Sequence, residues 1–266
     1  MNTSVRFALI AMFLAFASLR TAAFPNLNAT TGIYAVPTAE TVNVGELTCA
    51  GDVLFMQDTT WAKRVVLFNY TTFNERVIYG LTDQLEVGAG VIVGNGTTVS
   101  INAKYRTGVT TGGFAWAVGM GLITGNTVDN GTQIYLAGTR PFTTPKDNGA
   151  SFIGTVGVNY TTVENRGVLC PFVGAQWRLR TGMEVDGEFV LGSGGRGNSV
   201  ISLLVRQRLG HRLTGQLGIT NALGFTGTNK YYYFMGAAYT FGRSPAQAAP
   251  KANRGANRHP RCNDHC

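Results

Sequence analysis

The chain lacks the apolar run that a membrane-spanning helix needs. Beyond its first two dozen residues no apolar stretch reaches the ~18 residues required to cross hydrocarbon as a helix. Charge is scarce as well, at 14% against about 25% in an ordinary soluble domain. Proline occurs only 8 times, and the 3 histidines and 4 cysteines leave little material for a metal centre or a His-dependent active site. Glycine is abundant instead, at 35 of 266 residues, nearly double the usual ~7%. Low charge, much glycine and no helical span together disfavour a soluble enzyme and a helical membrane protein alike.

What is present is alternation. From Phe172 to Leu191, Val173, Ala175, Trp177 and Leu179 alternate with Gly174, Gln176, Arg178 and Arg180, and Val185, Gly187, Phe189 and Leu191 alternate with Glu184, Asp186 and Glu188. A period of two places each set on one face of a strand. A three-residue loop Thr181-Gly182-Met183 would set Arg180 opposite Glu184, Arg178 opposite Asp186 and Gln176 opposite Glu188. The same segregation recurs. Glu86 is flanked by Leu85 and Val87; Lys104 and Arg106 alternate with Ala103 and Tyr105; Arg206 and Arg208 follow Ile201, Leu203 and Val205. A charged face repeated strand after strand without helices predicts a transmembrane β-barrel, apolar outside and polar within.

Strands are expected near 45–56, 73–81, 84–93, 99–107, 114–123, 132–140, 150–159, 170–180, 183–191, 199–208, 212–221 and 231–241, an all-β antiparallel barrel of about twelve. Segment 58–72 is the exception. Arg64 to Tyr70 has strand composition and fits either a further strand or part of a long loop. The three tightest turns, at Thr82-Asp83-Gln84, Thr181-Gly182-Met183 and Gly210-His211-Arg212, all follow even-numbered strands. They belong at the end where the chain termini lie, the periplasmic side of a bacterial barrel. Connections after strands 1, 5, 7, 9 and 11 are expected to be longer.

Residues 1–23 read as a secretory signal, with Arg6 before the apolar Phe7 to Ala17 and small residues ahead of a cut after Ala23. A lead-in covers 24–44, the barrel 45–241 and a disordered basic tail 242–266. Arg243, Lys251, Arg254, Arg258 and Arg261 face only Asp264 in that tail, supplying about half of the +8 net charge. An exported chain gives that charge lipid or glycan to meet, with nucleic acid not expected as a partner. His259, Cys262, His265 and Cys266 close the sequence. They make a weak metal-ligand set or a disulfide, and no pattern requires a cofactor. Cys49 and Cys170 are expected as separate thiols. Four Asn-x-Thr matches, at Asn69, Asn95, Asn130 and Asn159, suit Asn- and Thr-rich loops better than glycosylation. His211, in a tight turn, has no rim partner for catalysis, so an enzyme is not expected.

The segment Tyr231-Tyr-Tyr-Phe-Met-Gly-Ala-Ala-Tyr-Thr-Phe241, with Tyr233, Met235, Ala237, Tyr239 and Phe241 outward, resembles the closing strand of Gram-negative outer-membrane barrels. The resemblance implies recognition by the barrel-assembly machinery and contact with outer-membrane lipid. Here Gly242 to Cys266 follow the aromatic that usually ends such chains. Tyr79-Gly-Leu-Thr-Asp-Gln-Leu-Glu-Val-Gly88 and Gly32 to Gly45 are more loosely similar to barrels linked with exopolysaccharide secretion. Two functions are in view. One is a channel for passive diffusion or export of small polar solutes. In it Arg178, Arg180, Glu184, Asp186, Glu188, Arg206, Arg208, Glu86, Lys104 and Arg106 form a selective constriction. The other is a non-conducting barrel in which those residues are a structural ion-pair network and the surface engages polysaccharide, peptidoglycan or a protein.

Overall fold

A computed structural model describes residues 30, 32–58, 67–94, 96–109, 113–125, 131–142, 150–163, 166–179, 181–192, 199–221 and 231–242. The signal segment 1–23, the tail beyond Gly242 with its His259, Cys262, His265 and Cys266, and Arg180 lie outside the described residues.

Twelve antiparallel strands run in chain order: β1 Leu47–Asp58, β2 Leu67–Gly80, β3 Leu85–Val93, β4 Thr97–Val109, β5 Ala115–Gly125, β6 Gly131–Pro141, β7 Ser151–Val163, β8 Arg166–Arg178, β9 Met183–Val190, β10 Val200–Arg208, β11 Leu213–Thr220 and β12 Tyr232–Phe241. Each pairs with its sequence neighbours, and β12 closes onto β1 from Leu47↔Phe241 to Met56↔Tyr232. Closure leaves no edge strand and satisfies the ladder hydrogen bonds internally, as a hydrocarbon environment demands.

The period-two pattern decides the faces. Trp177, Phe189 and Leu203 stand exposed on the outside, while Glu184, Asp186, Glu188, Ser202 and Arg206 are buried within. A water-soluble sandwich would do the reverse with Trp177 and Leu203. An outer face this apolar suits lipid. Arginine in place of Leu203 should therefore lower barrel stability in a bilayer by about 2–4 kcal/mol near the midplane. An unchanged urea midpoint would mean that face never meets hydrocarbon.

Three expectations need correction. Leu67–Tyr70 is neither a separate strand nor a loop; it lengthens β2 and pairs with the end of β1 across an irregularity at Met56/Gln57. The connection after β7 is short, because β7 and β8 each run 13 residues and β8 resumes at Arg166. Tyr160-Thr-Thr-Val163 is β-prone and extends the ladder through residues assigned to a loop. The β8–β9 hairpin is also set differently. Arg178 pairs with Glu184, Gln176 with Asp186 and Gly174 with Glu188. Gly182 has φ +75°, the left-handed conformation that ends a three-residue hairpin loop. The turn is thus set one residue earlier, closed by Leu179 N–H to Met183 O at 2.7 Å and Gly182 N–H to Leu179 O at 3.1 Å. Moving the loop by one residue shifts the pairing by two and leaves every side chain on its face. The turns Leu81–Leu85 and Leu209–Leu213 close with the same hydrogen bond, 2.9 Å in each.

A loop of the chain inside the barrel

The bore is not left to side chains alone. Twelve strands about 4.8 Å apart, tilted by about 40°, close at a backbone radius of about 12 Å, and inward side chains leave room for roughly one further polypeptide. The segment Thr30 to Val42, ahead of β1, takes that room. Ile33, Tyr34, Val36, Ala39 and Val42 are buried to within 1%.

The two ends of the described segment meet at one wall residue. The two oxygens of Glu86 on β3 hold both of its ends, Oε1 accepting from the Thr30 hydroxyl at 2.6 Å and Oε2 from Val42 N–H at 3.0 Å. Lys104 on β4 completes this base, 2.9 Å from Glu86 and donating to the carbonyls of Thr38 and Glu40. Ends drawn together around a packed interior define an Ω-loop. Its tip is a tight turn in which Gly32 bridges Pro37 and Ile33 N–H donates to Val36 O at 3.0 Å.

That turn points three successive amides at one carboxylate. Glu188 on β9 accepts from Tyr34 N–H at 3.0 Å, Ala35 N–H at 2.8 Å and Val36 N–H at 3.0 Å. Successive backbone N–H groups around an anion form a nest. Among the described residues, every hydrogen bond the Glu188 carboxylate makes goes to this loop. Beside it Tyr34 stacks on Phe234, ring centroids 4.1 Å apart, with Leu54 and Leu204 around them. Val36 packs separately against Ala137, Phe172 and Val190.

The remaining wall charges fall into two groups. Arg206 on β10 is ion-paired at 3.0 Å to Glu184 and to Asp186, and its other nitrogen donates to the carbonyls of Gly32 and Ile33. Arg178 bridges Glu184 and, through both carboxylate oxygens at 3.1 Å, the loop's Glu40. Across the barrel Asp52 on β1 pairs with Arg76 on β2, and Asp52 also accepts from Gln216. The sequence did not single out that trio as a site, although Asp52, Arg76 and Gln216 all sit on the inward parity.

Two residues expected in the cluster stand apart from it. Arg208 gives its guanidinium to the Gly210 and His211 carbonyls, at 2.9 and 2.7 Å, bracing the turn at the mouth. Arg106 is half-buried and has no ion-pair partner among the described residues. On β12, Tyr233, Met235, Tyr239 and Phe241 are exposed on the outer face, as is Ala237, and the Tyr239 and Phe241 rings meet at 4.6 Å. Cys49 and Cys170 are free thiols.

The loop's exit crosses Gly80, at the end of β2, where a Cβ would run into the Asn43 carbonyl and lie 2.7 Å from that of Val42. Alanine at position 80 should push the exit off its seat, raising proteolysis at Asn43–Glu46 several-fold while the strand ladder stays intact. An unchanged digestion rate would show that the exit path has slack.

No protein-family model matches the chain. No curated protein matches it either. Solved structures do. A KdgM porin superposes with TM-score 0.56 at 12% identity, over 73% of this chain and 99% of that chain. The KdgM porin in complex with disordered oligogalacturonate gives 0.52 at 10% identity, over 74% and 99%. The Acinetobacter baumannii outer membrane protein Omp33 gives 0.51 at 7% identity, over 74% and 98%. A closed twelve-strand ladder, an apolar exterior, a charged interior and these superpositions lead to one conclusion: the chain has the fold of an outer-membrane porin.

Proposed function

We propose that this chain is an outer-membrane channel for the passive diffusion of small polar solutes, closed by its own Thr30–Val42 loop. The observation that carries the reading is the lining. Wall charges of both signs (Asp52, Arg76, Glu86, Lys104, Arg178, Glu184, Asp186, Glu188 and Arg206) are gathered within one ring of strands, and the loop occupies the space between them. Removing the loop would leave a polar bore of mixed charge, suited to hydrophilic solutes with modest charge selectivity. A KdgM porin of similar fold is described with oligogalacturonate, a solute of that polar class. The outward closing strand fits assembly into the outer membrane from the periplasm.

Planar-bilayer recording tests the reading. The intact chain should show a low open probability, and weakening the loop's attachment should produce discrete, salt-dependent openings. A folded barrel that stays silent after loop release would instead favour the non-conducting alternative. The direct Asp52–Arg76 pair, made between two wall strands, is the observation on that side.

A further inference from the structure

We infer that the lumen is a binding site for a polypeptide turn, and that Thr30–Val42 is its displaceable resident ligand. The inference goes beyond conduction, because the site would exist in a conducting or a silent barrel.

The chemistry of the contacts carries it. Wall side chains bind the backbone of the loop at nine places. The N–H groups of Tyr34, Ala35, Val36, Ala39 and Val42 donate to Glu188, Thr139 and Glu86. The carbonyls of Gly32, Ile33, Thr38 and Glu40 accept from Arg206 and Lys104. Reading main-chain groups for affinity and a few side chains for specificity is how proteins capture peptides. The specificity elements are present: Tyr34 stacked between wall apolar groups, Val36 in a second apolar cluster, and Glu40 on Arg178.

Glu188 shows the site to be built for a guest. Glu188 is 5% exposed yet, among the described residues, its carboxylate takes all its hydrogen bonds from the loop, whereas Glu184, Asp186 and Asp52 have cationic partners on the wall. A buried carboxylate without a permanent cation requires a ligand rich in N–H donors. Both ends of the described loop are held at Glu86, so the bound unit is a single compact turn anchored on one wall residue. The strand ladder from Leu47 to Phe241 closes without it, and the chain joins that ladder just past the loop through the Val44–Gly80 bridge. The ligand class is an extended polypeptide making a tight turn with three consecutive free amides, an aromatic at the first and a small aliphatic at the third.

The test nicks the folded full-length chain at a protease site placed at the exposed Val44–Gly45. The freed N-terminal fragment should remain bound, leave on dilution, and be replaced by a fluorescent synthetic peptide spanning Asn28–Asn43. N-methylation of that peptide at Ala35, which removes one N–H alone, should weaken binding tenfold or more, as should Glu188→Gln in the barrel. Loss of the fragment with no binding of the synthetic peptide would overturn the inference. So would a fragment that never exchanges, or affinity indifferent to both changes. Conductance of the nicked barrel after fragment removal reports separately on the channel reading, so the two can fail independently.

Discussion

Replacing Glu188 by leucine should expel the loop tip from the lumen. The substitution strands three N–H groups, two buried and one half-buried, that now share one carboxylate. Hydrogen bonds to a charged acceptor contribute about 1.5–3 kcal/mol each and do not add fully, so the bound state should lose about 3–5 kcal/mol. The equilibrium constant for seating the loop should fall by a factor of about a hundred to a few thousand. The barrel itself should survive, since among the described residues no wall cation depends on Glu188 in the way Arg206 depends on Glu184 and Asp186. Limited proteolysis of the N-terminal segment and single-channel open probability should therefore both rise, while barrel stability in denaturant changes little. Glu188→Gln keeps one acceptor oxygen and should give the same effects at smaller size. A Glu188→Leu protein with wild-type protease resistance would mean that the hydrophobic seats of Tyr34 and Val36 suffice to hold the loop.

Arg206→Met should act on the wall as well as on the loop, whose Gly32 and Ile33 carbonyls also lose a donor. Methionine keeps much of the aliphatic stem and removes the guanidinium that meets Glu184 and Asp186 at 3.0 Å. Deleting one partner of a buried pair leaves an uncompensated charge and costs about 3–5 kcal/mol. Two carboxylates would be left on neighbouring inward positions of β9, with Arg178 the only other cation bonded to Glu184 among the described residues. The guanidinium chloride midpoint of the folded barrel should drop accordingly. Adding Glu184→Gln and Asp186→Asn should restore most of the loss, because neutral amides need no counter-charge. An unchanged midpoint for Arg206→Met would contradict the pairing. A charge reversal at Arg206 is the wrong probe of ion selectivity for the same reason: it would break the wall before it altered a pore.

The fold was legible because its determinants are local and periodic. Alternation in Val173–Arg178 or Ile201–Arg206 assigns inside and outside without any knowledge of partners, and a ring of such strands can only close. Register was less accessible. Parity survives a two-residue slip, so Arg178 could be assigned to the interior while its partner, Glu184 rather than Asp186, depended on the left-handed Gly182.

The loop was not legible, because Gly32-Ile-Tyr-Ala-Val-Pro37 has no period of its own. Its signal lies elsewhere, in the walls. Leu54, Phe172, Val190, Leu204 and Phe234 are apolar residues on the inward parity, interrupting a polar lining. Apolar side chains facing a water-filled bore would gain nothing, so they announce a guest. Read together with unpartnered Ile33, Tyr34 and Val36 just ahead of β1, they would have pointed to a self-filled barrel.

Hydrogen exchange at Tyr34, Ala35 and Val36 measures the seat of the loop directly. With the turn clasped by Glu188 inside the barrel, these three amides should exchange as slowly as the flanking strands and far more slowly than the exposed Val44. Exchange within seconds, at the rate of a free peptide, would place the segment outside the lumen and leave Glu188 without its ligand.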